Sequence, residues 1–178
     1  MIFDGDSRTA KAWFTDALIN SGKERSLSAS NIALVGQSVA TMTTNAAANV
    51  DTKKFGRNPI SFIWGGVNDG VDGQTMYDRL QTYCLARRAA GWKTIVCTEI
   101  DAQGANQISN GYHATHYLAL NILLRADHSF ADGFADLGAD PRLQDATDVT
   151  YYLSDLVHLT DAGYAVVASI VAPVIAAL

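Results

Sequence analysis

Pro59-Ile60-Ser61-Phe62-Ile63-Trp64-Gly65-Gly66-Val67, followed by Asn68-Asp69, is a compact run of β-branched and aromatic residues closed by glycine. A half-buried strand alternates apolar and polar residues, and this one scarcely does. It reads as a strand covered on both faces, as in a parallel sheet packed between helices. Asn31 to Gly36 (NIALVG) has the same character and reads as a second central strand. Working outward, Thr94 to Ile100 (TIVCTEI) is another continuous strand-like run, and Ile2 to Asp6 is a shorter one that ends in a Gly/Ser turn. Between these runs the apolar spacing becomes helical, with Ala10, Trp13, Phe14, Ala17 and Leu18 in Thr9 to Asn20. Met76, Leu80, Tyr83 and Cys84 repeat that spacing between Asn68 and Gly91. The alternation β-α-β-α-β predicts one three-layer α/β domain over residues 1–178.

Beyond the third of these runs, Asp101 to Gly111 (DAQGANQISNG) is the longest loop signal in the chain and precedes a helix from Tyr112 to Leu124. Phe130 to Phe134 is a weaker strand candidate, and Ala135 to Tyr152 is irregular. Thr160 is placed to cap a closing helix that runs to Leu178. No internal repeat or linker interrupts the pattern. In sheets of this kind ligands gather at the carboxyl ends of the strands.

Composition removes several functions. Of 178 residues, 48% are hydrophobic and only 17% charged, which is core-forming material, against about 25% charged in an average soluble domain. Thirteen Lys and Arg against eighteen Asp and Glu give a formal charge of -5. The only adjacent basic pairs are Lys53-Lys54 and Arg87-Arg88, too little for a nucleic-acid footprint. Ala165 to Leu178 is interrupted by Ser169 and Pro173 and falls short of the roughly 20 residues that cross a bilayer. Met1 to Asp4 has neither the basic nor the apolar region of a signal peptide, so compartment stays open. Cys84 and Cys97 lack metal or redox spacing and read as two free buried thiols, with a disulfide as the alternative.

Four places carry chemistry. Ser7, in Phe3-Asp4-Gly5-Asp6-Ser7, lies at the turn from the first strand into the first helix. Helix dipole and backbone N–H groups there would favour the charge of an acyl-transfer step, and a plain helix cap is the simpler role. Asn68 follows the third strand on the same edge of the sheet, where its amide can meet an oxyanion or close a turn. Gly36 ends the second strand and either lets backbone approach a ligand or only turns. Asp155-Leu156-Val157-His158 puts a carboxylate within reach of an imidazole of its own turn, a base with its orienter or a structural pair. Jointly, in this order, these matches would arise by chance in on the order of one chain in ten thousand.

The combination resembles the SGNH hydrolases, the GDSL-type esterase and lipase superfamily, from Phe3 to Tyr164. The resemblance implies a flavodoxin-like α/β/α sandwich with about five parallel strands in order 2-1-3-4-5. It makes Ser7 the nucleophile, with Asp155 and His158 completing a triad. Ser7 N–H, Gly36 and Asn68 become the oxyanion donors. Leu159 to Tyr164 matches the family's entry into its terminal helix. The implied activity is serine ester hydrolysis without metal or organic cofactor, on a small ester such as an O-acetylated carbohydrate. A non-catalytic glycan-recognition module of a larger viral or surface protein, and an acyltransferase, are the alternatives. Oligomeric state is not legible.

Only six residues precede Ser7, which suggests a chain cut from a longer parent. Arg8 stands where the family often has an aliphatic residue and is expected to bridge to a surface acid. His113 and His116 share a helical face, but no acidic or Cys partner completes a metal set; Trp13, Trp64 and Trp92 read as core or edge aromatics. The Asp101 to Gly111 loop is expected to set selectivity. With no long apolar lid legible, acetyl and butyryl esters should be turned over well ahead of esters of twelve carbons or more; comparable kcat/KM along an acyl-chain series would contradict this.

Overall fold

The structure is a computed structural model that describes residues 1–23, 28–54, 56 and 59–178. Five strands form one parallel sheet: β1 Ile2–Gly5, β2 Ser30–Asn31, β3 Ile60–Trp64, β4 Lys93–Cys97 and β5 Gly133–Ala135. Their order is β2-β1-β3-β4-β5, as the family resemblance implies. The helices are α1 Trp13–Asn20, α2 Val39–Asn49, α3 Gly73–Ala89, α4 Ala105–Ser109, α5 Tyr117–Ala126 and α6 Asp161–Ala176.

Register and side-chain alternation together build the layers. Phe3 lies opposite Phe62, and Phe62 opposite Ile95, so one row of large side chains crosses the sheet. That row packs with Trp13 and Ala17 of α1 and with Val167 and Val171 of α6. Asp4 pairs with Ile63, and Ile63 with Val96, one residue along and therefore on the opposite face. There Ile63 and Val96 join Met42 of α2, Met76 and Leu80 of α3 and Leu124 of α5. Both faces are thus sealed, which is why the strands read as continuous apolar runs. Trp13 anchors the first layer, its ring 5.7 Å from Phe3 and 5.4 Å from Phe62.

Local chemistry sets the helix starts. Ser38, Asp72 and Thr160 each accept a backbone N–H from the first turn of α2, α3 and α6, respectively. The cap expected at Thr160 is therefore present, its oxygen taking the Gly163 N–H at 3.2 Å. Cys84 and Cys97 are buried free thiols, and Trp64 is core. Among the described residues no helix is long and apolar enough to cross a membrane.

Several elements depart from the sequence reading. The run Asn31 to Gly36 was expected to be a central strand, yet β2 is a two-residue edge strand with Leu34 and Val35 exposed. Backbone bonds to β1 continue beyond it, Ile32 N–H to Phe3 O at 2.9 Å and Leu34 N–H to Gly5 O at 3.2 Å, but the run stays at the sheet's edge, where the Asn31 side chain accepts the Ala33 N–H at 3.0 Å. The first helix starts at Trp13, not Thr9, because Thr9 Oγ1 is spent on the Trp64 carbonyl at 2.9 Å. The expected loop 101–111 contains α4, and a single π-helical turn, Tyr112–His116, leads into α5.

Gly5 ends β1 under close contact. A Cβ there would lie 2.0 Å from Trp64 O and 2.4 Å from Thr9 Oγ1, both held in place by hydrogen bonds. Gly5→Ala should therefore destabilise the fold by about 1–3 kcal/mol, seen as a lower urea midpoint; an unchanged midpoint would show that β1 and β3 can separate freely at this end.

Candidate active site

The candidate residues lie on three segments joined by hydrogen bonds to one another or to β1. The first is the turn after β1. Here Asp6 Oδ1 accepts the Arg8 N–H at 2.9 Å, Asp6 O accepts the Ala10 N–H, and Thr9 Oγ1 ties the turn to β3. Trp13 Nε1 donates back to Arg8 O at 3.2 Å. Ser7 is consequently held by bonds on both sides while its own side chain is left for other partners. Because α1 begins six residues later, Ser7 is not its cap, and the expected help from the dipole of that helix is absent at this distance.

The second segment is the turn before α6. Asp155 uses Oδ1 to accept the N–H groups of Val157 (3.0 Å) and His158 (2.9 Å), and uses Oδ2 to meet His158 Nδ1 at 2.7 Å. One carboxylate thus closes the turn and orients the ring. The other ring nitrogen, Nε2, lies 2.7 Å from Ser7 Oγ, bridging 151 positions of sequence. These contacts hold the Asp155 pKa below its ordinary range although burial opposes the shift. Leu156, in the middle of the turn, takes φ +57°, a left-handed conformation that disfavours a side-chain-bearing residue by roughly 1–2 kcal/mol.

The third segment pairs the turn after β3 with the turn after β2. Asn68 Nδ2 donates to Gln37 O at 3.2 Å, which fixes the amide's orientation and leaves its second hydrogen for another acceptor. Gln37 in turn donates through Nε2 to Asp4 Oδ1 (3.1 Å) and Gly5 O (2.9 Å), tying this corner to β1. Gly36 precedes it in a turn closed by Gln37 N–H to Leu34 O, at φ +75°, a conformation glycine adopts without strain. Asp69 bridges α2 and α3, accepting the Val39 N–H at 2.8 Å and an Arg79 N–H at 2.6 Å. Ser7, Asp155 and His158 are therefore in one hydrogen-bonded line, with Asn68 and Gly36 joined through Gln37 at the same edge.

Arg8 is the clearest correction. Expected at the surface, its side chain is fully buried and paired with Glu99 at 3.1 Å. Burial works against its charge, but Tyr112, Glu99, Tyr152 and Asp6 outweigh it and raise the pKa further. Beneath Ser7, burial first and the neighbouring Glu99 charge second push Asp6 up to about 7, and burial likewise raises Glu99. A signal for this cluster existed: Glu99 is the one charge inside the apolar run Thr94 to Ile100, and a charge buried in a sheet needs a partner. Gln37 carried no such signal. His113 does have an acidic partner, with Nδ1 2.7 Å from Asp101 Oδ1, but no group of three metal-binding side chains occurs among the described residues.

An α/β/α sandwich on a parallel 2-1-3-4-5 sheet carries a serine, histidine and aspartate in line, and the comparisons match the sandwich. The fold is that of the SGNH hydrolases. No family profile and no curated protein sequence matches the chain. Solved structures do. An acetyl esterase with an acetate ion superposes with a TM-score of 0.77 at 16% identity, over 97% of this chain and 95% of that one. An acetylxylan esterase from Geobacillus stearothermophilus gives 0.67 at 14% identity, over 95% and 90%. A GDSL-like lipase from Bacteroides thetaiotaomicron gives 0.68 at 12% identity, over 96% and 84%. At these identities the likeness is one of fold.

The buried acid yields a sign for pH dependence. Asp6 has a folded pKa above its unfolded one, so the folded state binds the extra proton, and its stabilising contribution is lost as pH rises from about 4 to about 7. Asp6→Asn should therefore gain stability relative to the parent between pH 5 and pH 8. Urea unfolding at both values tests this; a difference that does not grow with pH would show that Asp6 is ionised in the fold at pH 5.

Proposed function

We propose that the protein is a serine esterase for short-chain acyl esters, acetyl foremost. The observation that carries the reading is the continuous line Ser7 Oγ, His158 Nε2, His158 Nδ1, Asp155 Oδ2, with 2.7 Å at each hydrogen bond. In this reading His158 Nε2 takes the hydroxyl proton as Ser7 Oγ attacks the ester carbonyl. Asp155 holds the ring in the tautomer with its proton on Nδ1 and stabilises the imidazolium that forms. Negative charge on the carbonyl oxygen is met by Ser7 N–H, Gly36 N–H and the free hydrogen of Asn68 Nδ2. His158 then protonates the departing alcohol, water repeats the sequence on the acyl-serine, and the acid leaves.

The alcohol side of the substrate is assigned to a carbohydrate. A cleft of about 310 Å³ adjoins Asn68 and is lined by Val67, Asn68, Asn106, Gln107, Ser109 and Asn110. Five of these six side chains are amides or a hydroxyl, suited to sugar hydroxyls and poorly suited to an alkyl chain. α4, which supplies Asn106, Gln107 and Ser109, also borders the His158 turn: a Cβ on Gly104, just before it, would lie 2.6 Å from Val157 Cγ2. The acetylxylan esterase among the similar folds agrees with that choice of substrate.

Hydrolysis of p-nitrophenyl acetate near pH 8 tests the core of the reading. Ser7→Ala should abolish covalent turnover, and equal rates in the two proteins would refute it. Asn68→Ala should cost on the order of 3 kcal/mol of transition-state stabilisation, a fall in kcat of about 100-fold to 1000-fold with little change in KM. Full kcat in that variant would remove Asn68 from the oxyanion site.

A further inference from the structure

The left-handed Leu156 lies between Asp155 and His158, so the turn that presents the base is strained at its centre. Backbone of that kind persists where neighbours over-determine it. Here two neighbours hold successive carbonyls from outside the turn: Gln103 N–H donates to Leu156 O at 2.8 Å, and Arg8 Nε donates to Val157 O at 3.0 Å. Arg8 is also the residue that follows Ser7. Its remaining donors reach the end of β4, with Nη2 to Asp101 O at 2.8 Å and Nη1 to Glu99 Oε2 at 3.1 Å. Tyr112 OH completes the enclosure, 2.8 Å from the same Glu99 oxygen. One rigid, planar fork thus joins the serine segment, the histidine turn and the central sheet.

We propose that Arg8 is a positioning residue for the esterase reaction, holding the His158 turn at a fixed distance from Ser7 through Val157 O. The proposal rests on the esterase reading above. A buried ion pair by itself would need only Glu99; the fork's separate bonds to Val157 and Asp101 tie together the two segments whose spacing sets proton transfer. Such transfer requires donor and acceptor at hydrogen-bond distance, and a misplacement of about 1 Å can lower the rate about 100-fold.

The test exploits leaving groups. A nitrophenolate departs without a proton, whereas an alkoxide needs one from His158, so a displaced imidazole penalises alkyl esters more. Arg8→Lys keeps a cation beside Glu99 but offers one nitrogen in place of a fork, which cannot reproduce the separate Nε and Nη2 bonds to Val157 O and Asp101 O. kcat and KM are measured for p-nitrophenyl acetate and ethyl acetate, with the parent protein alongside and folding followed by circular dichroism. The expected result is a fall in kcat of on the order of 100-fold for ethyl acetate and about 10-fold for p-nitrophenyl acetate, with KM within about threefold. Arg8→Gln combined with Glu99→Gln removes both buried charges and should show the same divergence, which keeps the test open if Arg8→Lys does not fold. Equal losses on the two esters, or none, in a folded variant of an active parent overturn the role of Arg8 alone. A parent that turns over neither ester overturns the esterase reading, and this one with it.

Discussion

A guanidinium without access to water has to find all of its partners inside the protein, and that constraint organises the edge of the sheet where Ser7 sits. Arg8 is enclosed by Glu99, by the carbonyls of Ile100, Asp101 and Val157, and by Tyr112. These groups come from the end of β4, from the turn before α6 and from the start of the helical segment that leads into α5. None of the three can move without leaving a buried charge or donor unpaired, which is expensive at low dielectric. The charge therefore makes a joint where three crossovers meet, and Ser7 is the adjacent residue.

Around this joint the site is assembled from backbone held in set conformations. The Asp155 carboxylate closes its own turn with one oxygen and orients the imidazole with the other, so the geometry of that turn and the orientation of the ring are the same fact. Gln37 does similar work on the opposite side, bonding Asp4 and Gly5 of β1 through its side chain and Asn68 through its carbonyl. Both devices place polar groups by hydrogen bonds to main chain, which is stiffer than contact between two long side chains.

Much of this was legible. Runs sealed on both faces, such as Ile60–Trp64, announce themselves by lacking polar alternation, and the helices between them by their spacing. Ser7, Asn68, Asp155 and His158 are polar residues at the ends of such runs or before a helix, where only a turn or a site needs them. α1 starts late where Thr9 spends its side chain on a cross-strand bond, and apolar periodicity does not register that competition. The run after Asn31 reads as central but lies at the sheet's edge, because its place in the sheet is set by which strands pair and not by its own residues.

By itself the sequence determined the alternation of strands and helices, the parallel sheet and the residues with chemistry to offer, because burial and hydrogen-bonding capacity are properties of each residue and its near neighbours. Only the tertiary structure decided that Arg8 is buried and not at the surface, that Gln37 orients Asn68, and that His158 meets a serine 151 positions away. Those outcomes depend on which segments the crossovers bring to one edge. A long polar side chain is equally at home in water or in a buried network, and its own identity does not choose between them.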